Sequence, residues 1–157
     1  MGHQNHSITA KRILVPVKGE PVDEEALHLA FELAKENKAQ IFVLYVIEMP
    51  WEFPVDAEVA QETSRGEEVL QRFEALAEDG KHAIEAEILQ AREMGTAVVQ
   101  EAVDRSVDVV VIGLPYQKRY GSFTLGAAVP YILRYAPCPV IVWRDRLTNG
   151  QPSTGQE

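Results

Sequence analysis

The residues with the clearest chemical potential lie in one stretch, VDVVVIGLPYQKRYGSFTLGA, from Val107 to Ala127. Its first part is an unbroken apolar, β-branched run that passes through Ile112 and ends at Gly113. Its second part is a polar loop that ends at Gly126. The segment AAVPYILRYA follows, with Val129, Ile132, Leu133 and Ala136 at helical spacing. Strand, glycine, loop, glycine and helix start together can hold a phosphate. The first backbone N–H groups of a helix have no partner within it and carry partial positive charge, and a glycine lets an anion reach the backbone. Gly113, Gly126, Ala127 and Ala128 are therefore candidate anion contacts.

Side-chain catalysis finds no comparable pattern. Cys138 is the single cysteine, and its Pro-Cys-Pro setting at the start of an apolar run suits a packing residue better than a reactive thiol. His3, His6, His28 and His82 are scattered and pair with no nucleophile, and Gly-Lys-Ser/Thr follows no strand. No catalytic residue, no metal ligand and no enzymatic activity is expected, a weak ATPase being the only enzymatic reading.

The elements that must position the glycines can be read in order. RILVPV, Arg12 to Val17, is a first strand that ends in the turn Lys18-Gly19-Glu20-Pro21. From Asp23, Ala26, Leu27, Ala30, Phe31 and Ala34 form one face of a helix with acids in its first turn. AQIFVLYVI, Ala39 to Ile47, is a second buried strand, so the three make a right-handed βαβ unit. The stretch from Met49 to Gly66 has no clean period and is expected to run as a loop into a helix. Trp51 and Phe53 in it are expected to pack in the core, with anchoring of a protein partner as the alternative.

Glu67 to Glu78 forms that helix, stopped by Gly80, and AIEAEILQA from Ala83 to Ala91 half alternates, as a strand near a sheet edge does. Gly95-Thr96 opens a further helix through Asp104, with Thr96 as its cap. PVIVW, Pro139 to Trp143, is the fifth strand. Five strands alternating with four helices predict an α/β fold, a doubly wound five-stranded parallel sheet with helices on both faces. Such sheets bind ligands beyond the carboxyl ends of their strands, where strand order reverses. Pro16, Val17 and Lys18, then Val46, then Gly113 to Ala128 would surround that crevice.

Length and composition set the outer bounds. A chain of 157 residues is expected to be one domain, 11–146, between a flexible leader over 1–10 and a disordered tail over 147–157. No apolar run approaches the roughly 20 residues that span a bilayer, the start lacks a signal peptide's apolar core, and membrane insertion is not expected. The cytoplasm is the default location. A net charge of -9 argues against a nucleic-acid partner.

The succession ILVPV, LYVI, DVVVIG and LGAAVPYILRYAPCPVIVW resembles the universal stress protein (UspA-like) domain, and the likeness runs from Lys11 to Arg146. The resemblance implies an adenine-nucleotide alpha hydrolase-like, Rossmann-like fold. It also implies a homodimer in which the last strand, here Val140, Ile141, Val142 and Trp143, pairs with its symmetry mate. Family members divide into those that bind ATP or a related adenine nucleotide and those that do not. The binders resemble one another in a Gly-x2-Gly-x9-Gly-Ser/Thr motif. Here the spacing holds with Gly113, Tyr116, Gly126 and Ala127, so two of the four positions depart. Lys18 stands where binders tend to carry an aspartate.

Three readings follow from these departures. In the first, the site has drifted, Tyr116 fills the phosphate space, Lys18 pairs with a carboxylate, and the protein is a binding or regulatory module with no expected cofactor and little or no ATP affinity. In the second, another anion is held by Lys18, the helix start at Gly126, and Lys118 or Arg119. In the third, backbone contacts at Val46 and Gly113 still hold ATP or another adenine nucleotide, with magnesium, in a stress-response switch or slow ATPase.

Overall fold

The computed structural model describes residues 9–116, 118–119 and 122–147, with side chains described outside 117–122. The expected leader over 1–10 and tail over 147–157 fall outside these save for Thr9, Ala10 and Leu147, and Ala10 is buried in the core.

The elements alternate as the apolar runs require. β1 (Arg12–Val17), α1 (Pro21–Asn37), β2 (Gln40–Glu48), α2 (Ala60–Asp79), β3 (Ile84–Ala91), α3 (Met94–Asp104) and β4 (Val109–Leu114) are followed by a short hairpin. That hairpin, β5 (Lys118–Arg119) and β6 (Ser122–Phe123), leads into α4 (Ala128–Tyr135) and β7 (Val140–Arg144). The main sheet has the order β3-β2-β1-β4-β7 with every pair parallel. This is the five-stranded doubly wound sheet predicted from the sequence. Strand order reverses between β1 and β4, where Ile13 faces Val109 and Leu14 faces Val110.

The alternation of side chains divides the core in two. Ile13, Val15 and Val17 of β1 meet Val109 and Val111 of β4 under α1 and α2, with Phe73 wholly buried among them. Leu14, Val110 and Ile112 face the other way, against Val98 of α3 and Ile132 of α4. Strands covered on both faces have no polar side to show, so β1 and β4 read as continuous apolar runs. β3, at one edge, carries charges. Arg105 bridges Glu101 at 2.8 Å, Glu87 at 2.6 Å and Glu85 at 3.2 Å, with its guanidinium over the Phe42 ring.

Three local expectations need correction. α2 starts at Ala60 rather than Glu67, and Gly66 inside it lets the helix approach β2 and β3; a Cβ there would lie 2.9 Å from the Tyr45 ring and 3.1 Å from Ile88. Thr96 does not cap α3. The N-cap is Glu93, the Thr96 hydroxyl donates back to the Glu93 carbonyl at 3.1 Å, and Glu48 of β2 accepts the Met94 N–H at 2.7 Å. Trp51 and Phe53 are not core residues, being 78% and 55% exposed. The Pro50–Pro54 loop runs beyond the sheet's end, where Arg92 holds the Pro50 carbonyl at 2.6 Å and stacks 4.6 Å over Trp51.

Candidate functional site

The crevice lies between the carboxyl ends of β1 and β4, where strand order reverses. Pro16 and Lys18 enter it from β1 and its following turn, Ile112 and Gly113 from β4, and Gly126, Ala127 and Ala128 from the start of α4. Seven of the ten candidate contacts are thus brought together. The other three are placed differently. Val17 is buried under α1 and α2, and Val46 packs against the core on the α3 and α4 side. The Tyr116 ring stacks on Phe123 with centroids 5.0 Å apart, and the Arg144 guanidinium sits 5.2 Å over it. Its backbone N–H donates to Asp145 at 2.7 Å. Tyr116 is not among the residues that line the crevice.

The turn after β1 sets the character of the site. Glu20 caps α1 and Asp23 sits three residues on, the spacing of a capping box, with proline at the first helical position. Asp23 is 3% exposed, and its Oδ2 accepts the N–H groups of Lys18 at 2.8 Å, Gly19 at 2.8 Å and Glu20 at 2.9 Å. These are the donors that the turn would otherwise offer to an anion. Burial raises the Asp23 carboxyl above its ordinary value, against the pull of those three donors and of Lys18. Glu20 is raised as well, first by burial and then by Asp23, with Lys18 opposing and Asp145 adding to it. One lysine therefore faces a cluster of carboxylates.

The two glycines have different tasks. A Cβ on Gly113 would lie 3.0 Å from the Val22 carbonyl oxygen, so this glycine admits the first turn of α1 against β4. Gly126 has φ +71 and open space around it, so it is there for its left-handed backbone. Its N–H donates to the Thr124 hydroxyl at 3.1 Å, and no side chain caps α4 at Ala127. The first turn of α4 is the part of the crevice that still presents uncapped amides. The crevice has a volume of about 70 Å³, far below the roughly 300–1,000 Å³ of small-molecule sites.

Sequence reasoning missed Glu20, Asp23, Met94 and Val129 as lining residues. Glu20-x-x-Asp23 was legible as a capping box and Val129 as a position on the apolar face of α4; Met94 carried no signal. The side chains of Lys118 and Arg119, proposed as anion ligands, lie outside the described residues. Cys138 is half-buried, and burial and the nearby Asp108 push its thiol up, away from a nucleophilic thiolate. His82 stacks on Phe31, with centroids 4.2 Å apart, at the far end of the molecule. Val140, Ile141 and Val142 are half-buried on the edge strand β7, and the Trp143 indole N–H donates to Glu25 at 2.7 Å. Among the described residues no helix is long and apolar enough to cross a membrane.

Known proteins share this fold. The universal stress protein family model matches residues 9–144. A universal stress protein from Methanocaldococcus jannaschii, MJ0531, is 27% identical over 138 residues, covering 84% of this chain and 81% of its own. The structure of a universal stress protein from Archaeoglobus fulgidus is similar with a TM-score of 0.70 at 19% identity, over 83% of this chain and 96% of that one. A universal stress protein family protein from Arabidopsis thaliana, with AMP bound, is similar with a TM-score of 0.65 at 18% identity, over 92% of this chain and 97% of that one. With the family model spanning both halves of the sheet and the strand order that builds the crevice, the chain belongs to the universal stress protein family.

Proposed function

We propose that this protein is a cytoplasmic, homodimeric regulatory module whose switch-point crevice has little or no affinity for ATP. The observation that carries this reading is Asp23, whose Oδ2 engages the amides of Lys18, Gly19 and Glu20 and leaves the β1 turn without free donors. The carboxylates of Glu20 and Asp23 beside Lys18, and the small volume, support the same reading. A triphosphate would meet like charge where it needs donors. Self-association through β7 fits its position at the edge of the sheet and its apolar run Val140 to Trp143.

Calorimetric titration of the nucleotide-stripped protein with ATP, with and without magnesium, tests the first part, beside a Tyr116→Gly, Ala127→Ser double variant. Silence from the wild type is the expected result, and binding in the micromolar range would overturn it. Sedimentation tests the second part: a monomer at micromolar concentration would remove the dimer.

A second reading keeps an adenine nucleotide in the crevice, held by backbone groups near Gly113 and the start of α4, without the contact at Val46 that the sequence suggested. The open space at Gly126 and the uncapped first turn of α4 favour it, as does the AMP bound to the Arabidopsis relative. A nucleotide that copurifies with the protein would support this reading, and clean absorbance at 260 nm would count against it.

A further inference from the structure

The opposite end of the sheet carries a second basin. It opens where α1 ends, β2 begins and the turn after α2 leads into β3, with a volume of about 650 Å³, inside the roughly 300–1,000 Å³ range of small-molecule sites. Buried Ala34 and Ile41 form its floor, and Lys35, Lys38, Lys81 and His82 stand around it. No carboxylate lines it. In a chain with 24 Asp and Glu against 15 Lys and Arg, that is a local reversal of the prevailing charge.

Two helix ends converge on it. Lys38 and Lys81 hold φ of 50° and 60°, the left-handed turn in which α1 and α2 terminate, as α3 does at Ser106 with φ 52°. They stand at the ends of two different helices, yet both line the one basin. Among the described residues neither ammonium makes an ion pair, whereas Lys35 pairs with Glu32 at 2.9 Å. The His82 ring is fixed by stacking on Phe31 at 4.2 Å, nearly parallel, so the rim is ordered on that side. Lysines near helix ends also offset the partial negative charge of the last carbonyls. That role requires neither a cavity nor the convergence of two helix ends.

We propose that this basin is a binding site for a small phosphate-bearing anion, held by the ammonium groups of Lys38 and Lys81 over an apolar floor. The concave shape suits a small molecule, and the charge suits a group with several acceptor oxygens. The site stands apart from the switch-point crevice and does not depend on its occupancy.

The test is a titration of the isotope-labelled full chain with inorganic pyrophosphate at constant ionic strength, followed by amide chemical shifts. Saturable shifts are expected at Lys38 to Gln40 and at Lys81 to Ala83. A Lys38→Gly, Lys81→Gly double variant should keep the wild-type spectrum elsewhere, because glycine suits both backbone positions, and should bind about tenfold more weakly or worse. No saturable shift, or equal affinity in the double variant, would refute the site and leave the lysines as helix-end charges. Shifts confined to Gly126 to Ala128 would likewise refute it, while counting separately against an anion-free crevice.

Discussion

Replacing Asp23 with alanine removes one oxygen that serves three backbone donors, at 2.8, 2.8 and 2.9 Å. A hydrogen bond contributes about 1 kcal/mol net, and a donor left without a partner costs about 1–3 kcal/mol. With the side chain 3% exposed, three such bonds set a gross loss of about 3–4 kcal/mol. Two effects reduce it: water can reach the freed amides through the crevice, and the buried carboxylate no longer has to be kept out of solvent. The net expectation for Asp23→Ala is about 2–3 kcal/mol, which for a chain of this size is a melting temperature lower by about 5–10 °C. Urea unfolding followed by far-ultraviolet circular dichroism gives the free energy, and a thermal scan gives the shift. Asp23→Asn, which keeps an acceptor oxygen, should lose about 1 kcal/mol or less. A loss below about 0.5 kcal/mol for the alanine variant would show that solvent serves the turn equally well. The argument that Asp23 withholds those amides from a ligand would then fail with it.

Two further predictions use the same region. Glu20 and Asp23 both sit above their ordinary values of 4.5 and 3.8, chiefly through burial, so the folded chain keeps these protons to higher pH than the unfolded chain does. Their contribution to stability is complete below the unfolded values and is lost as pH rises through the raised ones. Asp23→Asn should accordingly gain on the wild type between about pH 4 and pH 7 in paired urea midpoints; a gap that widens against the variant over that range would contradict the sign. Gly113→Ala places a Cβ 3.0 Å from the Val22 carbonyl oxygen, which is backbone and yields little, so about 1–3 kcal/mol should be lost in the same unfolding assay. A neutral Gly113→Ala would mean that α1 can retreat from β4.

The fold was legible because its strands are buried on both faces. RILVPV and VDVVVIG carry no alternation, and β3, where Glu85 and Glu87 interrupt the apolar residues, stands at an edge as its pattern implied. Misreadings arose where distant contacts decide local structure. The first residue of α3 is held by Glu48, a side chain from another strand, which no local motif such as Gly95-Thr96 discloses. The stretch up to Gly66 read as a loop because it has no clean period, yet α2 already runs through it, and the missing side chain of Gly66 is what lets the helix lie against Tyr45. At the site, the glycine spacing located the crevice but said nothing of who occupies its donors. Tyr116 read as a plug, and the stacking partner that draws it onto Phe123 comes from the hairpin beyond it. The basin at the other end is assembled from two helix ends far apart in the chain, with Lys38 and Lys81 in backbone states that sequence alone does not disclose.

The two borders of the sheet are unequal. Along β3 the Arg105 cluster with Glu85, Glu87 and Glu101 lines the border with fixed charge, which discourages a further strand from docking there. Along β7 the border is Val140 to Trp143, short and apolar. A sheet that can be extended on one side alone has a limit to its growth: a copy that joins through β7 in a two-fold manner uses the open side of both molecules and leaves a charged border at each outer end. Assembly by this route terminates at two chains, and the same asymmetry that permits a pair denies a filament.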